Sequence, residues 1–306
     1  MKEIKGRFPS SSGLCEVHFY IYKPENPRAA LMLSHGMCEY IERYRDFAEF
    51  LCENGVALCG CDHIGHGGSV TDDDMLGYFG EEHGYFNMVR DLNRMKYIMD
   101  RELPDIPHFL MGHSMGSFLA RIFISKYPHD WHGVILCGTA GGLISTAPIR
   151  RVVDAMIKRR GGRFRHEKAT ELAFGLFNIR NENHRTRNDW LSRDEASVDR
   201  FCSDPKCSFT FTLAGYRDLM NALMTCNSDT VIGNTPTELP LFFISGGMDP
   251  VGEYGQGVRS AVIKYLERGC ELSLKIYPEA RHELIFELNR DEVMKDILEF
   301  INRHCG

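Results

Sequence analysis

Residues 106–123 read IPHFLMGHSMGSFLARIF, and this stretch decides the fold. It opens with an apolar run, Phe109–Met111, of the kind that forms a strand covered on both faces. It closes with Met115, Phe118, Leu119, Ile122 and Phe123 recurring at three and four residues, the period of one helical face. Between them stands Gly112-His113-Ser114-Met115-Gly116. A serine at a sharp strand-to-helix turn is held in strained backbone geometry that projects its hydroxyl from the sheet edge. Side chains in place of Gly112 or Gly116 would collide with the neighbouring strand or helix. The helix N-terminus behind Ser114 contributes free N–H groups and the positive end of a dipole. Ser114 is therefore the candidate nucleophile.

Working outward, the same alternation repeats. Ala29–Leu33, Val56–Cys61, Val134–Cys137 and Leu241–Ile244 are further short apolar runs, and Glu271–Tyr277 alternates as a last strand. Helix-like segments lie between or after them at Tyr40–Asn54, Tyr85–Leu103 and Arg290–Cys305. Val89, Leu92, Met95 and Met99 share one face of the second. Strand, helix, strand in sequence implies right-handed crossovers and a doubly wound, mostly parallel α/β sheet. Cys15–Lys23 alternates apolar with polar and predicts part of an antiparallel edge. From about Ile144 to Pro236 the strand pattern lapses. We read a core in two parts, 1–143 and 237–306, interrupted by a mostly helical cap at 144–236.

The partners of Ser114 follow from chain order. In a sheet of this kind the acid and then the histidine come later, each at the end of a strand. Asp249 lies in GGMDPVG just after Leu241–Ile244, and His282 in ARHEL just after Glu271–Tyr277. His282 would take the Ser114 proton, and Asp249 would hold the imidazole tautomer. Glu279 and Glu283 are rival acids, too near His282 in sequence to reach round to it. The loop after the first parallel strand, Ser34-His35-Gly36-Met37, should supply one oxyanion N–H from Met37, and Met115 the other. His35 would brace that loop. In Asp62-His63-Ile64-Gly65-His66-Gly67-Gly68-Ser69 the glycines permit a tight path, and His66 hydrogen-bonds within it. No third ligand accompanies these histidines, so we expect no metal.

Composition sets the outer bounds. The 306 residues are 43% hydrophobic and 25% charged, ordinary for a globular protein, and the net charge of −6 gives no reason to expect nucleic acid. The opening MKEIKGRFPSSSG lacks a signal-like apolar core, and no run approaches a spanning helix. The eleven cysteines include Cys59, Cys61 and Cys137 inside apolar runs and form no CxxC pair. They read as small buried hydrophobes of a reduced, cytoplasmic protein. Oligomeric state is not legible.

Taken together, SHGMCEYIERY (34–44), GCDHIGHGGS (60–69), YFNMVRDL (85–92), FLMGHSMG (109–116), FFISGGMDPVG (242–252) and RHELIFE (281–287) resemble the monoacylglycerol lipase and lysophospholipase group of α/β-hydrolases. The resemblance implies that fold, the Ser114–Asp249–His282 triad, oxyanion donors at Met37 and Met115, a helical cap and no cofactor. The sequence departs from the group at Tyr40, where a histidine is common, and at Ser117, where glycine is.

The expected reaction is cleavage of a lipid-like carboxylic ester through an acyl-enzyme. Leu172, Phe174, Leu176, Phe177, Phe209, Phe211 and Leu213 could line an acyl pocket, although most read as the cap's own core. Arg150, Arg151, Lys158, Arg159, Arg160, Arg163, Arg165 and Lys168 form a basic segment that could meet an anionic membrane surface, with a solvated face as the default. An amide-cleaving aminopeptidase would need a cap acid for the substrate ammonium; Glu182, Asp189, Asp194 and Glu195 are available. A non-catalytic binding protein would be expected to lose a triad member, and dehalogenase chemistry would need a carboxylate at position 114.

Overall fold

The computed structural model describes residues 1–127, 130–142, 146–181 and 184–305, and the side chains of 168, 169, 172 and 173 lie outside that description. The strands are β1 (Lys2–Pro9), β2 (Glu16–Lys23), β3 (Ala29–Ser34), β4 (Val56–Cys61), β5 (His108–His113), β6 (Gly133–Cys137), β7 (Leu241–Gly246) and β8 (Leu272–Tyr277). They form one sheet in the order β1-β2-β4-β3-β5-β6-β7-β8. The first two pairings are antiparallel and all others parallel.

The helices are α1 (Arg45–Glu53), α2 (Gly84–Glu102), α3 (Met115–Lys126), α4 (Ala147–Arg160), α5 (Glu167–Phe174), α6 (Glu195–Ser203), α7 (Leu213–Cys226), α8 (Asp229–Gly233), α9 (Gln256–Glu267) and α10 (Arg290–Arg303). The central strands are buried throughout, and their side chains divide by the period of two. Ala30, Met32 and Leu110 join the core beneath α2, α3 and α9, while Leu31, Leu33, Phe109 and Met111 join the one beneath α1 and α10. The two cores explain why the runs carry no polar alternation: neither face meets water.

Two elements escape the sequence patterns. β1, with Lys2, Lys5 and Arg7, is a charged strand pairing Glu3 with Tyr22, and it is the outermost strand of the antiparallel edge to which β2 also belongs. Charges on an outermost strand suit an edge that must not recruit another chain. α9 fills the β7–β8 crossover, burying Val258, Ala261 and Tyr265.

Between β6 and β7 the described chain is helical, with one isolated bridge, Arg165 to Thr212. α7 and α8 pack on α3, and α4 packs on α7. The basic segment is not one solvated face. Arg151, Lys158, Arg159, Arg160 and Arg163 are exposed, and Arg150 pairs with Asp154 at 3.2 Å. Arg165 turns inward, donating to the carbonyls of Leu76 and Thr210 at 2.7 Å each. The Lys168 side chain lies outside the described residues. All eleven cysteines are free. No helix among the described residues is long and apolar enough to cross a membrane.

Candidate active site

Ser114 sits between the last residue of β5 and the first of α3 with φ 52° and ψ −122°, a conformation that costs a non-glycine residue about 1–3 kcal/mol. Its N–H donates to the Cys137 carbonyl at 2.9 Å, tying the turn to the end of β6. The two flanking glycines are steric necessities. A Cβ on Gly116 would press into the carbonyl oxygens of Ser34 and His35, and one on Gly112 into the Gly116 carbonyl and the Ser117 backbone. The Ser114 turn can therefore lie flush against the end of β3. Met115 is the first residue of α3, so its N–H precedes the helical ladder.

Asp249 and His282 reach one another across the ends of β7 and β8. Asp249 Oδ1 accepts from His282 Nδ1 at 3.0 Å and from the Val251 N–H at 2.8 Å. Both side chains are buried. The approach depends on Gly246, where a Cβ would collide with the carbonyls of Ala280 and Arg281. Nδ1 is thus engaged, and Nε2 makes no hydrogen bond to a described residue. The imidazole is gripped between the rings of Trp190 at 5.1 Å and His113 at 5.0 Å. The rival acids point elsewhere. Glu283 forms a bidentate pair with Arg43 at 2.9 and 3.1 Å, and Glu279 meets Arg193 at 3.1 Å.

Beneath these turns lies a charged cluster that the sequence did not announce. Glu39, 2% exposed, accepts from the Gly36 N–H at 3.2 Å, Tyr44 Oη at 2.5 Å and His113 Nδ1 at 2.6 Å, and pairs with Arg43 at 3.2 Å. Burial opposes its charge, but the His113 and Arg43 cations hold its carboxyl well below the usual range. His113, whose pKa burial alone would lower, is instead raised by Glu39. His113 Nε2 also donates to the His282 carbonyl at 3.4 Å, so both ring nitrogens act as donors, as in an imidazolium. One carboxylate thus links the turn after β3, the serine turn and the histidine loop. A glutamate three residues past His35-Gly36 was visible in sequence, but the contacts that bury it span 74 residues to His113.

His35 and the histidines of the glycine-rich loop form a neutral layer. His35 Nε2 accepts the His63 N–H at 2.9 Å, leaving Nδ1 to donate to the Gly36 carbonyl at 2.8 Å, so His35 braces the turn after β3. His66 Nδ1 donates to the Ile64 carbonyl at 3.1 Å, and its ring packs among Phe79, Phe209 and Phe211. Burial depresses His35 to about 4 and His66 to about 3. Among the described residues no three His, Cys, Asp or Glu side chains are grouped to hold a metal.

Ser114, His282 and Met37 line one cavity of about 340 Å³, roofed by the segment between β6 and β7. Of the proposed pocket residues, Phe174, Phe177 and Phe209 line it. Phe211 and Leu213 are buried core, Leu176 is 73% exposed, and the Leu172 side chain lies outside the described residues. Trp190, Phe118 and Leu223 also line it, unpredicted because they stand on separate elements with no shared periodicity.

Residues 25–289 match the family described as serine aminopeptidase, S33. Monoglyceride lipase of Rattus norvegicus is 27% identical over 92% of this chain and 84% of its own. Monoacylglycerol lipase of Mycolicibacterium smegmatis is 26% identical over 95% of each. A carboxyl esterase from Bacillus coagulans, solved in complex with glycerol, superposes with a TM-score of 0.93 at 30% identity, covering 100% of both chains. The chain therefore belongs to the S33 serine aminopeptidase family and is a monoacylglycerol lipase-like α/β-hydrolase.

Proposed function

We propose that the protein hydrolyses carboxylic esters of lipid-like alcohols, with Ser114 as nucleophile, His282 as general base and Asp249 as its orienting acid. The observation that carries the reading is a serine in a strained turn and a carboxylate-anchored histidine opening on one largely apolar cavity. In the reaction His282 Nε2 takes the Ser114 proton as Oγ attacks the ester carbon. The Met37 and Met115 N–H groups hold the oxyanion, and the proton passes to the departing alcohol. Water then repeats the sequence on the acyl-enzyme and frees the acid.

Ester cleavage is favoured over peptide cleavage because the acids that could bind a substrate ammonium are committed. Asp189 accepts the N–H groups of Arg185 and Thr186, Asp194 caps α6, and Glu195 meets Arg185 at 3.4 Å. Glu182 lies outside the described residues. Names of relatives point the same way: two are monoacylglycerol lipases and one is a carboxyl esterase. The segment over the cavity acts in this reading as a substrate-selecting cap. Its exposed Arg151, Lys158, Arg159 and Arg160, beside exposed Val152, suit the approach to an anionic lipid surface.

The test is covalent labelling by a fluorophosphonate together with hydrolysis of aryl esters. We expect Ser114→Ala to abolish labelling and to lower kcat about 10⁶-fold. Retention of either activity by that variant overturns the assignment.

A further inference from the structure

Of the four described arginines between α5 and α6, three have a partner for their charge. Arg180 lies over the Tyr254 ring at 3.7 Å. Arg185 bonds Asp199 at 3.1 Å, and Arg193 bonds Glu287 at 2.9 Å. Arg187 is the one Lys or Arg on the cavity lining among the described residues, and its guanidinium has no hydrogen bond or ion pair to any of them. Its backbone is nonetheless fixed. The Arg187 carbonyl accepts from Asn178 Nδ2 at 3.0 Å, and Asp189 holds the two preceding N–H groups at 2.6 and 3.2 Å.

The charge faces the site. Burial pushes up the Cys38 thiol and the Tyr216 hydroxyl, both on the lining, and the field of Arg187 acts against that rise on each. Cys38 directly follows the Met37 turn. Three described acids share the lining: Glu39 and Glu283 are already matched by Arg43 and His113, and Glu253 forms no ion pair with Arg187, so none of them consumes this cation. Thr146 Oγ1, buried and unpartnered among the described residues, adds a hydroxyl to the same lining. A guanidinium left unmatched beside a largely apolar chamber is suited to a two-pronged anion.

Resting on the ester-hydrolase reading, we propose that Arg187 selects substrates whose alcohol portion carries an anionic group, a phosphate or carboxylate, over neutral glycerol esters. The acyl chain occupies the aromatic part of the chamber, and the anion on the leaving alcohol meets Arg187.

The experiment compares three esters of one chain length: decanoyl glycerophosphate, decanoyl glycolate and decanoyl glycerol. Each is given to the wild type and to Arg187→Gln, an exposed substitution that leaves the catalytic groups in place. We expect kcat/KM to fall about tenfold or more on an anionic ester and less than about twofold on the neutral one. Arg187→Lys should restore part of the loss. A fall on the phosphate ester alone, or on the glycolate ester alone, identifies which anion is read. Equal change on all three, or no change, overturns the proposal. Aryl ester hydrolysis and fluorophosphonate labelling are measured alongside. If the wild type lacks both, the hydrolase reading fails and takes this inference with it; if both persist in Arg187→Gln while selectivity is unchanged, only the inference falls.

Discussion

The floor and the roof of the cavity are built on opposite principles. The floor is ionic and fully coordinated: Glu39 collects Gly36, Tyr44, Arg43 and His113, and Arg43 passes on to Glu283. The roof is aromatic, with Phe177 edge-on to Trp190 at 4.9 Å and to Phe174 at 5.1 Å, and Arg187 is the one Lys or Arg it sets on the cavity lining among the described residues. A buried carboxylate with that many donors has a single workable geometry, because moving any donor leaves a charge uncompensated. Apolar ring contacts tolerate substitution and shift. Under the proposed function the floor would set where bonds break, and the roof would set what is admitted.

The comparison is broken most severely at the floor's end-point, Asp249. Asp249→Asn would present the wrong hydrogen-bonding group to His282 Nδ1 and lower kcat about 10⁴-fold, with folding unchanged by circular dichroism. A loss under tenfold would mean that the contact is structural only. Next is Glu39→Gln, which preserves shape while removing the charge that His113 and Arg43 face. We expect kcat to drop about 10- to 100-fold with KM held within about twofold, and melting temperature to fall. An effect confined to KM would place Glu39 with the roof instead. The smallest effect belongs to the roof. Phe177→Ala should raise KM for long-chain esters about two- to tenfold, leaving short-chain esters and kcat alone. A uniform fall in kcat would show that the roof also positions the reaction.

The same contrast explains what could be read from the chain. The floor's backbone elements announce themselves because local rules govern them. GHSMG needs its glycines for clearance that any strand-to-helix turn demands, and the acid and histidine follow successive strands. β3 to β7 contain short apolar runs since two cores cover them, and β8 shows its alternation because it is an edge strand. β1 was missed because a charged edge strand has no apolar alternation to display. α9 was missed as a short crossover whose apolar residues, Val258, Ala261, Val262 and Tyr265, stand among polar ones. The Glu39 cluster was missed because its partners converge only after folding. In the roof, aromatic residues gave composition without direction: Phe209 faces the cavity while Phe211, two residues on, is core.

Parallel pairing of β6 with β7 has a consequence for how substrate range can change. The chain leaves β6 at one margin of the sheet and must enter β7 at the other. α7 and α8, packed on α3, make that journey. They are the obligatory return path and cannot be discarded with the rest of the insertion. The exchangeable cassette is accordingly shorter than the insertion, running from about residue 146 to the Thr212 that caps α7. Recombination between relatives at those two seams would transplant a specificity while leaving the covering helices of the sheet untouched.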